Sequence, residues 1–223
     1  VPKNILRVIH RGVDLGRFSL TNISENRVEA LARKWRLPDG VPVIMLPGRL
    51  TRWKGQEVFI QAIKKTGLKN LKCLIVGSDQ GRNRYKASLE KLIEQTDLSN
   101  VIHLIDHCDD MPAAYMLADI VVSASVEPEA FGRTIVEAQA LGRLVVATDH
   151  GATQETIKNG STGWLTKPND ANAMAQILKT LLSYTKEERE KFSTLAIQHI
   201  NNNFSKEKMC EKTIKLYESM VSN

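Results

Sequence analysis

The sequence is short of cysteine, of aromatic side chains and of long apolar runs, and each shortage removes a class of protein. Its three cysteines, Cys73, Cys108 and Cys210, are scattered and odd in number. That argues against a disulfide framework and for a reducing, cytoplasmic setting. Aromatic residues make up 5% of the 223, too few to interleave with cations as a nucleic-acid surface requires, so no nucleic-acid partner is expected. No apolar stretch nears the ~20 residues that span a bilayer. His103 and His107 stand four apart, a zinc spacing only on a helix; here they flank a strand end and lack an adjacent glutamate, so no metal is expected. The loops considered below hold no Asp-x-Asp pair for a divalent ion, no P-loop ending in Gly-Lys-Ser/Thr and no Gly-x-Gly-x-x-Gly.

What is present is an ordinary globular composition, with 42% hydrophobic and 25% charged residues. The length suits one large α/β domain. The net charge of +6 is spread along the chain, with Arg82, Arg84 and Lys86 the nearest thing to a cluster. Most of it reads as solvated surface, with phosphates or an anionic membrane face as the partners it would favour. The chain opens Val1-Pro2-Lys3-Asn4 and is expected to begin partway through a longer protein.

Short apolar runs alternate with amphipathic stretches. Strands are expected at Val43–Leu46, Leu71–Val76, Val101–Ile105, Asp119–Ser123 and Leu144–Ala147. Helices are expected near Gln56–Lys65 and Arg84–Thr96, with short ones between the later strands. Continuous β-branched runs mark strands covered on both faces. Beyond Trp164-Leu165 the pattern turns wholly helical, over Asp170–Leu182, Lys186–Ile200 and Ser205–Met220. Repeated strand–helix–strand units predict a doubly wound, Rossmann-like parallel sheet with helices on both faces and a helical C-terminus. Ligands of such sheets bind beyond the carboxyl ends of the strands. The candidate loops are therefore Gly48–Gly55, Gly77–Gly81, Asp106–Asp110, Ser123–Gly132 and Thr148–Thr153.

Two of these loops carry chemistry. Gly48-Arg49-Leu50-Thr51-Arg52-Trp53-Lys54-Gly55 sets three cations between two glycines. A guanidinium fork and an ammonium suit a diphosphate, although the loop alone reads equally well as basic surface. In Glu129-Ala130-Phe131-Gly132-Arg133-Thr134-Ile135-Val136-Glu137 a helix should start near Gly132 or Arg133. Its free amides would face the same mouth and favour an anion. Glu129 and Glu137 would repel a phosphate, but suit the paired hydroxyls of a ribose or hexose. Glu137 has an alternative partner in Arg133, one helical turn away.

Taken together, Gly-Arg-Leu-x-x-x-Lys-Gly, the two glutamates around Phe-Gly and the downstream Glu-Ala-x-Ala-x-Gly resemble glycosyltransferase family 4, retaining enzymes of the GT-B fold. Val8 to Phe18 is similar to the hinge by which that family enters its C-terminal domain. Gly151, Glu155, Gly160, Gly163 and Pro168-Asn169-Asp170 fall where it places a closing loop. The resemblance implies a domain plan of an interdomain hinge over 1–20, a nucleotide-sugar-binding domain over 21–203, and a last helix over 204–223 that packs against an N-terminal acceptor domain absent from this sequence. It further implies a UDP-, GDP- or ADP-sugar as donor substrate, with no separate cofactor. Arg49 and Lys54 would hold the diphosphate, with Gly48 and the amides of Phe131, Gly132, Arg133 and Thr134. Glu137 would bind the ribose, Glu129 the transferred sugar, and Asp106 and His107 would lie near the base. The implied activity is transfer of a hexosyl group in cell-envelope glycan or lipopolysaccharide synthesis. The acceptor would be a membrane-associated lipid or glycan on the inner face, and this chain alone would transfer little or nothing. The alternatives are a nucleotide-sugar-binding module without chemistry, or another GT-B enzyme such as an epimerase or phosphorylase. Leu144 and Ala152 depart from the family's usual proline and second glycine; the second departure bears on donor preference if positive φ is needed there.

Overall fold

The computed structural model describes residues 5–221. Residues 1–4 and 222–223, the outer ends of the expected hinge and last helix, lie outside the described residues. Six strands, β1 (Val43–Pro47), β2 (Lys72–Val76), β3 (Ile102–Ile105), β4 (Ile120–Ser123), β5 (Leu144–Thr148) and β6 (Trp164–Thr166), form one sheet. Every pairing is parallel and the order is β3-β2-β1-β4-β5-β6. This is the expected doubly wound, Rossmann-like arrangement.

Alternate side chains of each central strand serve opposite faces of the sheet. Ile44 and Leu46 of β1, with Val122 and Val146, join the core beneath α2 (Gln56–Thr66), α3 (Asn83–Gln95) and α7 (Ala171–Leu182). Met45, Val121, Val145 and Ala147 join the core beneath α4 (Met111–Leu117), α5 (Arg133–Ala140) and α8 (Lys186–Asn203). Both faces are dry, which explains why the strands read as unbroken apolar runs. Each fully buried Ile, Leu or Val contributes about 1.5–3 kcal/mol.

The pattern of five expected strands lacks a sixth: Trp164–Thr166 is the edge strand β6, paired with Val146–Thr148, and beyond it the chain is helical as expected. Three residues are too few to show a period, and Trp164 is used sideways, packing against Tyr184 and Phe192. Two further elements are α1 (Glu25–Lys34), which had no counterpart in the sequence reading, and a single turn, α6 (Thr153–Thr156).

The chain's entry and exit are stitched together. Val13 donates to the Phe204 carbonyl and accepts from Lys206 at the head of α9 (Lys206–Val221), while Lys206 Nζ lies 2.7 Å from Asp14. Along α9, Ile214, Tyr217 and Met220 stay exposed. Among the described residues no helix is long and apolar enough to cross a membrane.

Candidate functional site

Strand order reverses at β1, which pairs with β2 on one side and β4 on the other, so the crevice of this fold lies beyond the carboxyl ends of these strands. Its wall is two backbone segments thick. The Gly48 amide donates to the Val76 carbonyl and the Leu50 amide to the Ser78 carbonyl. The segments touch so closely that a Cβ at Gly77 would stand 2.1 Å from the Gly48 carbonyl oxygen. Only glycine fits there.

On the α4 and α5 side of this wall lies a cavity of about 310 Å³, into which Gly48, Arg49, His107, Thr134 and Glu137 all face. The loop carrying Arg49 is fixed from below: buried Gln56 donates to the Arg49 carbonyl at 2.9 Å and accepts from the Tyr85 hydroxyl at 3.2 Å. Arg49 has no ion-pair partner among the described residues. Opposite it, Glu137 projects from the second turn of α5. Its Oε2 accepts from the Tyr115 hydroxyl at 3.0 Å, so the alternative pairing with Arg133 is not the one adopted. Burial pushes the Glu137 carboxyl up, and Tyr115 with the charges of Arg133 and Arg17 offsets this only in part. Tyr115 is fully buried, and burial beside Glu137 holds its phenol protonated. No side chain caps α5 at Gly132, so the helix start keeps its anion-favouring character.

Behind Gly48 sits a second acid in a different environment. Lys54 Nζ donates to Glu129 Oε1 at 2.7 Å, with side chains 13% and 9% exposed. The hydroxyls of Ser123 and Ser125 donate to the same oxygen, at 3.2 and 2.5 Å. Burial alone would raise the Glu129 carboxyl, but Lys54 and these hydrogen bonds hold it below the usual glutamate value. All the described donors use Oε1, so Oε2 is the acceptor not engaged by them. The Lys54 stem passes along Gly48, its Cδ 3.4 Å from where a Cβ would stand. The pair therefore lies beside the cavity that holds Arg49 and Glu137, separated from it by Gly48, and does not itself line it.

The Glu129 backbone is held by the loop after β5. It bridges Gly151, and its carbonyl accepts from the Ala152 amide at 3.0 Å. Gly151 has φ +61°, and a Cβ there would stand 2.6 Å from the Glu129 carbonyl oxygen. Ala152 has φ −69° in right-handed helical conformation, so glycine's freedom is needed at 151 and not at 152.

Not every expected residue converges. Asp106 is 80% exposed and meets Lys86 at 3.3 Å, away from the residues lining the cavity. Its loop partner His107 lines the cavity and contacts Asp109. Phe131 turns its ring into the core against Phe204, leaving only its backbone for the site. The sequence reading did not single out Tyr115, Gln56, Ser123 or Ser125. The signal for Tyr115 was a lone hydroxyl in the apolar run Met111–Leu117, and for Gln56 a polar residue at a helix start immediately after Gly55.

The description "Glycosyl transferases group 1" belongs to the family model that matches residues 27–199. The chain is 32% identical over 223 residues to the D-inositol 3-phosphate glycosyltransferase of Corynebacterium urealyticum, covering 96% of this chain and 51% of that one. A glycosyltransferase structure from Rickettsia africae matches with a TM-score of 0.96 and 35% identity, over 100% of this chain and 59% of that one. The structure of Anabaena Alr3699/HepE in complex with UDP-glucose matches with a TM-score of 0.89 and 25% identity, over 98% of this chain and 58% of that one. The chain spans about half the length of the curated relatives it matches. With the family model covering most of its length, the chain belongs to the glycosyl transferases group 1.

Proposed function

We propose that this chain is the donor-binding half of a retaining GT-B glycosyltransferase, a hexosyltransferase that takes its sugar from a nucleotide diphosphate. The observation that carries this reading is the placing of Arg49 and Glu137 in one cavity at the uncapped start of α5, with the Lys54–Glu129 pair behind Gly48. Arg49, Lys54 and the amides of Gly132 to Thr134 hold the diphosphate. Glu137 accepts from the ribose hydroxyls and Glu129, through Oε2, from those of the sugar. His107 borders the base. The UDP-glucose bound to the Anabaena protein supports a UDP-sugar as donor.

Cleavage of the anomeric carbon–oxygen bond leaves its electron pair on the diphosphate and positive charge on the ring. Positively charged groups already in place stabilise the departing oxygen more than the intact donor, which lowers the barrier. Glu129 positions hydroxyls rather than attacking, because three donors, one of them the Lys54 cation, already draw on its negative charge and make it a poor nucleophile. Departure and attack on one face preserve the anomeric configuration. The acceptor is a cell-envelope glycan or lipid bound by a further N-terminal domain, so this chain alone binds donor and transfers little. The exposed apolar residues of α9 support packing of that helix across the cleft.

Calorimetric titration with UDP-, GDP- and ADP-glucose tests the reading. A nucleotide sugar should bind in the micromolar-to-millimolar range, about −8 to −4 kcal/mol, and Arg49→Ala should weaken it about tenfold or more. Equal binding by the variant would overturn the assignment.

A further inference from the structure

The junction of α8 and α9 is in contact with the site. Phe204, which stands between these helices, is buried, and three rings lie against its own. His10 of the entering segment meets it edge-on with ring centres 5.6 Å apart, and His199 of α8 does so at 5.4 Å. The third ring is that of Phe131, tilted across it at 6.3 Å. The Phe204 backbone is pinned on both sides. Its amide donates to the Ile200 carbonyl at 2.8 Å, and its carbonyl accepts from Val13 at 2.7 Å. Phe131 carries the peptide that leads into Gly132, where φ is +73° and no side chain caps α5. The direction of the amides at this helix start is therefore set by where the Phe131 ring is seated, and Phe204 forms part of that seat. His10 reaches the other half of the site. Its Nε2 meets Glu155 Oε2 on α6. The Glu155 amide donates to the Ala152 carbonyl at 3.1 Å, and the Ala152 amide to the Glu129 carbonyl at 3.0 Å.

We propose that Phe204 is a positioning residue for the donor. Through the Phe131 ring it aims the amides at the start of α5 that hold the diphosphate, and His10 steadies it in that place. The inference rests on the donor reading above. Its reach is selective, because Glu137 and His107, on the nucleoside side, are held by other groups, Tyr115 and Asp109. Dipoles stabilise a charge well only when they are already aimed at it, so a small rotation of these peptides costs affinity although no group is lost. The bond from Val13 to the Phe204 carbonyl brings the entry and the exit of the chain to bear on the diphosphate through one side chain.

The test is a pair of amide-resolved NMR titrations, with UDP and with uridine, on the wild-type chain and its variants. Without ligand, Phe204→Leu should shift the amides of Phe131 to Thr134 and leave those of α2, on the opposite face of the sheet, in place. It should weaken UDP about fivefold and keep uridine within about twofold of wild type. His10→Ala, at a half-buried position, should show the same selective loss at about threefold, and it decides the matter if Phe204→Leu does not fold. Phe131→Leu combined with Phe204→Leu should weaken UDP by less than the product of the single effects. Equal losses for UDP and uridine, an unchanged UDP affinity, or strictly multiplying effects in the double variant overturn the inference. If UDP does not bind the wild type while Phe204→Leu still moves the amides of Phe131 to Thr134, the donor reading falls and the hold of Phe204 on the loop stands. If UDP binds and those amides stay unmoved in the variant, the donor reading stands and this inference falls.

Discussion

Glu129 and Glu137 lie eight residues apart in sequence, yet their environments are opposite. Glu129 is answered from within: Lys54, Ser123 and Ser125 all donate to it, and its carboxyl is held down. Glu137 has one described donor, Tyr115, and its carboxyl is held up. The first acid belongs to the architecture of the loop and offers its second oxygen. The second is buried ahead of need, short of partners that the hydroxyls of a ligand would supply. Lys54 differs from Arg49 in the same way, because its charge already answers a carboxylate while that of Arg49 does not.

Removing one partner of the tighter pair should break the contrast most severely. Lys54→Met leaves Glu129 buried without its cation and should cost about 3–5 kcal/mol, read from urea unfolding. Adding Glu129→Gln should restore much of that loss; a strictly additive double variant would mean that the two charges do not couple. Next in size, Glu137→Ala should weaken UDP-glucose binding by about 1.5–3 kcal/mol, with a smaller loss of stability, about 1 kcal/mol, from the buried Tyr115 hydroxyl left without its acceptor. Unfolding in place of lost affinity would make Glu137 structural. Tyr115→Phe removes the single donor to Glu137 and should lower stability by about 1 kcal/mol.

Smallest is the response to pH, and its sign separates the acids. The folded-state carboxyl of Glu129 lies below its unfolded value, so its stabilisation is present above the unfolded pKa and is lost as pH falls through the folded one. That of Glu137 lies above its unfolded value, so its contribution is present below the unfolded pKa and is lost as pH rises through the folded one. Urea midpoints of Glu129→Gln and Glu137→Gln relative to wild type, followed from pH 7 down through the carboxylate range, should therefore drift in opposite directions. Parallel drifts would contradict the comparison.

Much of this was readable in the sequence because it is local. The β-branched runs of β1 to β5 announce a sheet covered on both faces, and Gly48, Arg49, Thr134 and Glu137 announce themselves by position after strands or at a helix start. The hidden parts depend on distant packing. Glu137 prefers Tyr115, 22 residues upstream, over Arg133 because α4 and α5 are packed into one core. The same holds for Ser123 and Ser125, whose hydroxyls read as ordinary loop polarity until Gly151 holds the Glu129 segment against them. β6 was missed for its brevity. α1 was missed because its apolar stripe of Val28, Leu31 and Ala32 is short and only half-buried, with no residue of the helix fully covered.

The glycine contact between the loops after β1 and β2 has a mechanical consequence. With a carbonyl lodged where a side chain would otherwise be, the two loops have no slack to slide past each other and must tilt as a single partition. The cavity that Gly48, Arg49, Gly77 and Ser78 line therefore takes its shape from both loops at once. A methyl group at position 77 would wedge the partition open and reshape that cavity, even in a protein that still folds.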